Sequence, residues 1–531
     1  MKTIFTLYMM VTIAFAQWPT SPDSAIHVGF GRQKQVVEDG QGGVYIGSGS
    51  YCTRLNHEGE KVFDQLPLDG DYPQKSVNSV ALSTDGSLIV SYSNIIFIGS
   101  NETGEAHILV QKISPNGVKL WGEGVVVTPD NTTGTYDQGV HGVSSKVIAD
   151  DSGGAYVAWT DWRNDLPGVS ELYIQRLNAS GEIMLDSLGV FIDDRIKAFR
   201  ELVGTSNHLP VLFYARLNTS FVTKVYFQRL TSTGELHWDD QAPQIIGGGY
   251  GFSIDAFDNI FFAHDDRIFK HDLDFQPIWP DTGVVISDSS EFIWGMIPDE
   301  NGGAIGQYQK DTESNRVYSQ WVESDGSLKF DEHVLYVSNS EIEYITSNIS
   351  DSESFIVTYQ DWDNYRTQRI DSEGNSLWTD DNLLFNYTHY TSHWQQSISD
   401  TEGGIICVLD YNYAIYATQM GPAGNVGSIT SIVEPKHIPL THIPISAYPN
   451  PFNPSTTIEY ELPEHSVVSL VIFDVAGREV TTLVYSQQTP GSYKVGWNGT
   501  NTVGQQVAGG IYFARLKAEE FSNTAKLVYL K

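Results

Sequence analysis

The sequence is poor in basic residues, in cysteine and in long apolar runs. Its 531 residues contain 31 Lys and Arg against 65 Asp and Glu, which gives a formal net charge of −34. Such a charge repels nucleic acid and anionic lipid surfaces, so neither is an expected partner. The length is sufficient for a large core plus a second domain.

Apolar runs are short everywhere except at the start. Residues 1–16 combine Lys2 with an apolar run, and Ala14-Phe15-Ala16 has the small-x-small pattern of a cleavage site. We predict a signal peptide over residues 1–16, with cleavage between Ala16 and Gln17. No later run approaches the roughly 18 apolar residues of a membrane-spanning helix, so no transmembrane segment is expected.

Catalytic and metal-binding patterns are also scarce. The GxSxG, HExxH, CxxC and P-loop patterns do not occur, and the 14 histidines show no metal-ligand spacing. Acidic turns such as residues 150–153 offer oxygen ligands to Ca²⁺, but they lack the alternating carboxylates of an EF-hand loop. Turn capping by Asp is the favoured role. The sequence predicts no cofactor, with loop-bound Ca²⁺ as the alternative.

Glycine occurs at 48 positions, and aromatic residues make up 12 % of the chain. This is typical of short strands and tight turns. A unit of roughly 50 residues recurs about eight times, and four short strands per copy indicate a β-propeller. An acidic turn precedes an apolar strand at Val44, Leu88, Ala155, Ile260, Ala304 and Ile405, and it contains Gly in every one of these copies except the one before Ile260. We predict an all-β fold with an eight-bladed propeller. Seven blades, a stacked solenoid or two sandwiches are the alternatives.

A second Gly turn recurs in four of the copies and is followed by a large residue, among them Trp121, Trp238 and Trp378. We expect these tryptophans to pack between blades, and the Gly pairs to supply positive φ at the hairpin tips. Ring closure is expected from the N-terminal residues around 25–30 pairing onto the last blade, or from face-to-face packing of the first and last units.

The two cysteines, Cys52 and Cys407, then fall in the first and last repeats, which are neighbours in a closed ring. An exported protein permits a disulfide between them. Two free buried thiols are equally compatible with the sequence.

Polar candidates for ligand binding follow two of the apolar strands. Residues 159–164 (WTDWRN) and 359–364 (YQDWDN) are similar to repeats of exported bacterial proteins of unassigned activity. We assign no catalytic residue, because Arg176, Arg229 and Arg369 occupy equivalent repeat positions and are expected to pair with neighbouring acidic turns. The ligand-binding candidates are Asp161, Trp162, Arg163, Asp361, Trp362 and Arg366.

The pattern of the last 85 or so residues predicts about seven short strands with turns every 8–12 residues. This pattern is typical of an immunoglobulin-like β-sandwich. A Pro-containing linker precedes them, with Pro435, Pro439 and Pro444. The predicted domains are the signal peptide 1–16, the propeller 17–429, the linker 430–446 and the C-terminal domain 447–531.

Several patterns in this domain occur in a characteristic order: residues 448–454 (YPNPFNP), a Gly turn in 474–478, residues 497–499 (WNG), and the Lys-bracketed end 526–531. They resemble the C-terminal sorting domain of the type IX secretion system. The resemblance implies recognition by outer-membrane secretion machinery, removal of the domain, and release or anchoring at the surface. The implied sorting residues are Tyr448, Pro449, Asn450, Pro451, Phe452, Asn453, Pro454, Gly477, Gly510, Lys526 and Lys531.

Two functions follow from these observations. One is a secreted or cell-surface binding protein for a glycan, matrix or protein ligand, reached by Sec export through the periplasm. The other is a secreted hydrolase or lyase that acts on polysaccharide at the mouth of the propeller channel. Carboxylates 5–10 Å apart at that mouth would favour an enzyme, whereas burial of the candidate residues between blades would favour binding. The sequence does not name the ligand.

Overall fold

The computed structural model contains two compact units, Met1–Ile432 and Val433–Lys531. All regular structure in the described residues is β-strand. That part of the chain contains no helix with the length and apolarity to span a membrane. The structure describes residues 18, 26–30, 34–69, 74–98, 103–128, 133–135, 144–161, 170–217, 223–238, 242–246, 250–287, 292–310, 313–330, 333–337, 342–351, 353–361, 364–378, 382–386, 395–400, 403–411, 414–421, 445–462, 466–475, 477–488, 491–502, 504–518 and 521–530.

The larger unit is built from antiparallel repeats of about four strands, numbered here as repeats 1–8. Repeat 1 contains β2 (Lys34–Glu38), β3 (Val44–Ser48), β4 (Tyr51–Leu55) and β5 (Lys61–Pro67). Repeat 2 contains β6 (Gln74–Leu82), β7 (Leu88–Ile98) and β8 (Thr103–Ile113), with β9 (Val125–Val126) and β10 (Thr133–Thr135) beside β8.

Repeats 3 and 4 form one seven-stranded sheet, because both use the long strand β14. Its strands are β11 (Ser145–Ala149), β12 (Ala155–Asp161), β13 (Ser170–Leu177), β14 (Val190–Gly204), β15 (Pro210–Leu217), β16 (Thr223–Arg229) and β17 (Gln244–Ile246). Repeat 5 contains β18 (Tyr250–Ile254), β19 (Ile260–His264), β20 (Arg267–His271) and β21 (Val284–Val285).

The remaining repeats follow the same order. Repeat 6 contains β22 (Phe292–Pro298), β23 (Ala304–Gln309), β24 (Arg316–Val322) and β25 (His333–Val337). Repeat 7 contains β26 (Ile342–Asp351), β27 (Ser354–Asp361), β28 (Asn364–Asp371) and β29 (Asn382–Asn386). Repeat 8 contains β30 (Gln395–Ser399), β31 (Ile405–Tyr411), β32 (Ala414–Met420) and the N-terminal strand β1 (Ile26–Phe30).

The first strands of successive repeats contact one another in a closed cycle. The contacts run from β2 to β6, β11, β14, β18, β22, β26 and β30, and from β30 back to β2. The chain start completes repeat 8, because β1 pairs antiparallel with β32, Ile26 opposite Ala417. The predicted closure by N-terminal residues is thus confirmed.

Large aromatic residues pack between successive repeats. Trp121 of repeat 2 is buried against residues of repeat 3, and its indole N–H donates to the carbonyl O of Ala179 at 3.0 Å. Trp279 of repeat 5 donates in the same way to Ser324 of repeat 6, also at 3.0 Å. Trp18 donates to His57 of repeat 1 at 2.7 Å and is buried between repeats 8 and 1. Trp18 therefore fills at the seam the place that a repeat tryptophan fills elsewhere.

The hairpin turns explain the paired glycines. In repeat 3 the first glycine, Gly153, has a φ of 83°, as predicted. The second, Gly154, serves a different need, because a Cβ there would lie 2.0 Å from the carbonyl O of Leu177. The expectation that both glycines supply positive φ was therefore wrong for the second, which allows a close backbone approach.

The smaller unit has two sheets. Its strands are β33 (Ile445–Tyr448), β34 (Thr456–Leu462), β35 (Ser466–Asp474), β36 (Glu479–Gln488), β37 (Gly491–Trp497), β38 (Gly510–Ala518) and β39 (Phe521–Tyr529). One sheet has the order β33-β34-β37 and the other β36-β35-β38-β39. A core around Phe452, Leu470, Trp497 and Leu516 belongs to this unit. Its seven strands match the number predicted.

Candidate functional site

Two of the predicted sorting residues, Asn450 and Lys526, come together, although they lie near opposite ends of the C-terminal unit. The Asn450 side chain bridges two residues of β39: its Nδ2 donates to the carbonyl O of Lys526 at 2.6 Å, and its Oδ1 accepts from the Val528 N–H at 2.7 Å. The carboxamide thus makes the two hydrogen bonds that a peptide group of a neighbouring strand would make.

The backbone of Phe452 continues this pairing along the last strand. Its N–H donates to Val528 O at 2.9 Å, and its carbonyl accepts from the Leu530 N–H at 2.9 Å. The Phe452 ring is buried, 4.9 Å from the ring of Tyr529 and 5.4 Å from that of Trp497. We call Asn450 and Phe452 the clamp, because together they cover the outer edge of β39.

The other residues predicted to act in sorting lie in turns and strands. Gly477 has a φ of 75° and its N–H donates to Asp474 O, which makes the predicted turn. Gly510 starts β38, opposite Tyr529 in the register. Tyr448 ends β33, and Pro449, Pro451, Asn453 and Pro454 flank the clamp. Lys531 and the cleavage residues Ala16 and Gln17 lie outside the described residues.

The ligand-binding candidates of the larger unit fall in two repeats. Asp161 ends β12 of repeat 3, is buried, and lies 3.3 Å from the indole nitrogen of Trp159. Asp361 ends β27 of repeat 7 and pairs in register with Asn364, while Arg366 is half-buried in β28. Repeats 3 and 7 are four steps apart in the cycle. Trp162, Arg163 and Trp362 lie outside the part of the chain that the structure describes.

Each of the three repeated arginines pairs with a carboxylate of an acidic turn, as expected. Arg176 Nη2 lies 3.0 Å from Asp150 Oδ2, and Arg369 pairs with Asp351. Arg229 instead reaches Asp274 of repeat 5 at 2.6 Å. The turn of its own repeat has Thr205 where repeat 3 has Asp150, so it offers no carboxylate.

The acidic turns use their carboxylates to bind the backbone. Asp150 Oδ1 accepts from the N–H groups of Ser152 and Gly154 at 3.0 and 2.6 Å. In repeat 1, Asp39 accepts from the two equivalent N–H groups, and in repeat 8, Asp400 accepts from the Gly404 N–H at 2.7 Å. These bonds match the predicted capping role. Among the described residues, no group of three or more His, Cys, Asp or Glu could hold a metal ion.

The two cysteines are free thiols in adjacent repeats. Cys52 packs among residues of repeats 1 and 2, whereas Cys407 packs among residues of repeats 7 and 8. Both side chains face away from the interface that repeats 8 and 1 share. Of the two alternatives, a disulfide or two free buried thiols, the structure therefore shows the free thiols. Burial raises the pKa of each thiol to about 12.

A charged cluster that sequence analysis missed lies where repeats 3 and 4 share β14. Burial raises the pKa of Asp193 to about 6, despite the Arg216 guanidinium 3.3 Å away. Tyr214 donates a hydrogen bond to Asp193, and burial and this carboxylate raise the tyrosine pKa. Arg216 also pairs with Asp194 at 3.0 Å. A carboxyl that titrates near neutral pH beside a tyrosine and an arginine is a candidate acid–base group.

Comparison with known proteins gives one family match. The model of the FlgD Ig-like domain matches residues 453–521, which is compatible with an Ig-like C-terminal domain. No curated protein matches the chain.

Several solved structures are similar at low sequence identity. A protein of unknown function from Bacteroides caccae has 14 % identity and a TM-score of 0.29, covering 59 % of this chain and 93 % of its own. PorZ, a surface component of the type IX secretion system of Porphyromonas gingivalis, has 11 % identity and a TM-score of 0.22, covering 94 % and 86 %. Prolyl oligopeptidase B from Galerina marginata has 11 % identity and a TM-score of 0.42, covering 73 % and 56 %. At these TM-scores the likeness carries no argument about this chain.

Proposed function

We propose that this chain is an exported protein, secreted or held at the cell surface after Sec export through the periplasm. Its C-terminal domain is a sorting signal for outer-membrane secretion machinery of type IX. Its repeat domain is the cargo, which binds a glycan, matrix or protein ligand.

The proposed architecture is an eight-bladed β-propeller over residues 17–429, a linker over 430–446 and an Ig-like sandwich over 447–531. The propeller is supported by the closed cycle of first strands and by the pairing of β1 with β32. Closure by an N-terminal strand leaves no open edge between the first and last repeats. The sandwich is supported by two sheets of three and four strands around one core.

The observation that carries the sorting proposal is the clamp. Two stretches that resemble sorting landmarks, residues 448–454 and 526–531, are 76 residues apart at Asn450 and Lys526 and are joined by hydrogen bonds. The clamp makes the two landmarks one surface, as a single receptor would require.

The test is deletion of residues 526–531 from the full chain. We expect the truncated protein to stay in the periplasm, measured by protease accessibility on whole cells and by fractionation. The control is Tyr485→Ala on the far edge strand β36, where the side chain is 77 % exposed; this variant should reach the surface. Surface exposure of the truncated chain at the level of the intact chain would refute the sorting role.

The cargo function is tested on the purified mature chain. A glycan array and a polysaccharide-degradation screen should give binding without turnover. Turnover of any polysaccharide would favour the alternative, a secreted hydrolase or lyase.

One observation favours that alternative. Burial raises the pKa of Asp193 to about 6, and its carboxyl contacts both Tyr214 and Arg216. If the chain is an enzyme that uses this cluster, Asp193→Asn abolishes turnover while Asp194→Asn does not. Full turnover by Asp193→Asn would exclude the cluster as the active site.

A further inference from the structure

The backbone edge of the last strand is already occupied in the folded C-terminal unit. The outward-facing groups at Lys526, Val528 and Leu530 are bonded to the clamp at 2.6–2.9 Å. A partner cannot add a β-strand at these positions without displacing Asn450 and Phe452. Side chains on the sheet face remain accessible, and both Lys526 and Leu530 are exposed.

The face of the sheet that displays Lys526 is continuous across three strands. In the register, Phe473 of β35 lies opposite Phe513 of β38, and Phe513 lies opposite Lys526 of β39. Side chains two apart along a strand share a face, so Ile511, Arg515 and Lys517 lie on the same side as Phe513. The alternating residues of β38 are buried in the core. We call this surface the basic face; its residues are Phe473, Ile511, Phe513, Arg515, Lys517 and Lys526.

The charge of the basic face is opposite to that of the chain. Arg515, Lys517 and Lys526 are all exposed, whereas the chain carries −34. The Arg515 guanidinium lies 4.7 Å from the centre of the Phe473 ring, which holds it over the apolar centre of the face. Ile511 is 39 % exposed. Glu479 on the neighbouring β36 lies opposite Phe473 and accepts a hydrogen bond from Thr482 at 2.8 Å.

We infer that the basic face is the docking surface of the C-terminal unit, and that it binds a protein surface on which acidic groups surround exposed apolar side chains. This inference rests on the proposed sorting function and identifies the surface that the secretion machinery would bind. Charge complementarity selects such a partner, because attraction at physiological salt acts over about 8 Å and therefore locally. An extended anionic membrane is disfavoured, since it would also repel residues 1–432, which hold 24 Lys and Arg against 57 Asp and Glu.

The first test neutralises two cations of the face. Arg515→Gln combined with Lys517→Gln should lower the surface-exposed fraction of the full chain at least tenfold. The matched control, Lys494→Glu on β37, lowers the net charge of the same unit by the same two charges, outside the face and outside the sorting landmarks, and should export normally. An equal loss in both variants, or normal export of both, would overturn the inference. Thermal unfolding must show the same C-terminal transition in both variants, and a loss of export explained by unfolding counts against the docking role.

The second test uses the purified full chain and outer-membrane vesicles from the producing cell. We expect cosedimentation that falls at high salt, falls after the vesicles are treated with protease, and is lost in the Arg515→Gln/Lys517→Gln variant. Equal binding to vesicles made only of extracted lipids would contradict a protein partner. The deletion of residues 526–531 separates the two ideas: if it reaches the surface, the sorting function itself fails. If it is retained while the double variant exports and cosediments normally, only the basic face is refuted.

Discussion

The two units of this protein differ most in how they use charge. Residues 1–432 hold 24 Lys and Arg against 57 Asp and Glu, whereas residues 433–531 hold 7 against 8. In the larger unit several of the acidic residues cap turns and pair with basic residues, as Asp150 does with Arg176, and the excess favours solubility. The smaller unit is nearly neutral and gathers three cations on one face. The net charge of the whole chain therefore gives no indication of the basic face, which is the surface most suited to an acidic partner.

The units also share one feature, because each is completed by a segment distant in sequence. In the larger unit, Trp18 and β1 close the cycle at repeats 8 and 1. In the smaller unit, Asn450 and Phe452 cover the last strand. Because each closing segment belongs to one unit, removing a buried side chain from it should leave the other unit unchanged.

The largest effect is expected at the seam of the repeat unit. Trp18→Ala should lower its free energy of unfolding by about 3–5 kcal/mol, because a buried tryptophan is lost and a cavity is left. The C-terminal transition in calorimetry should not move. Trp279→Ala is the control, since Trp279 has the equivalent place between repeats 5 and 6. A negligible loss at Trp18 beside a large loss at Trp279 would show that the N-terminal segment does not close the ring.

A similar but slightly smaller loss is expected from Phe452→Ala, which should destabilise only the C-terminal unit. The ring is buried between Tyr529 and Trp497, so its removal costs about 3–4 kcal/mol. Calorimetry should show the C-terminal transition shifted down and the transition of the repeat unit unchanged. A shift of both transitions would mean that the two units unfold together.

The Asp193 cluster gives the repeat unit a dependence on pH. The carboxyl binds its proton more tightly in the folded state, because its pKa rises from 3.8 to about 6. Its contribution to stability is therefore present below about pH 4 and is lost as pH rises through 6, by at most about 3 kcal/mol. Compared with Asp193→Asn, the wild type should lose stability between pH 4 and 7 in chemical denaturation. Asp194→Asn should keep the wild-type slope, and a parallel profile for Asp193→Asn would exclude the raised pKa.

The smallest effect concerns the two cysteines, which are expected to show no chemical modification in the folded protein. Burial raises both thiol pKa values to about 12, so neither Cys52 nor Cys407 should react with iodoacetamide at pH 8. Both should react in denaturant without any reductant. Failure to react in denaturant until a reductant is added would show a disulfide.

Much of the fold follows from local patterns in the sequence. The Gly turns, the apolar strands after them and the N-terminal closing strand could be predicted, since each depends on residues adjacent in the chain or on the need to close a ring. The seven strands of the C-terminal unit followed from alternation and turn residues. The pairing of Arg176 with Asp150 followed from equivalent positions in the repeats, and Arg229 departed from it because Thr205 replaces the acidic residue.

Other features were beyond local patterns. The fusion of repeats 3 and 4 through β14 depends on register shifts between strands, which no turn residue marks. The Asp193 cluster joins side chains of two repeats more than 20 residues apart. The clamp joins Asn450 to a strand 76 residues later. Sequence analysis named both of its ends as landmarks, but it had no signal that they touch.

The most direct test of the account is the intact mass of the protein recovered from the cell surface or the medium. If the C-terminal unit is a sorting signal that is removed after export and the repeat unit is the cargo, the recovered chain should begin at Gln17 and end within residues 430–446. The full-length precursor should be confined to the cell interior. A surface protein that still carries residues 447–531, with its repeat unit fully delivered and no shorter form present, would contradict removal of the sorting domain.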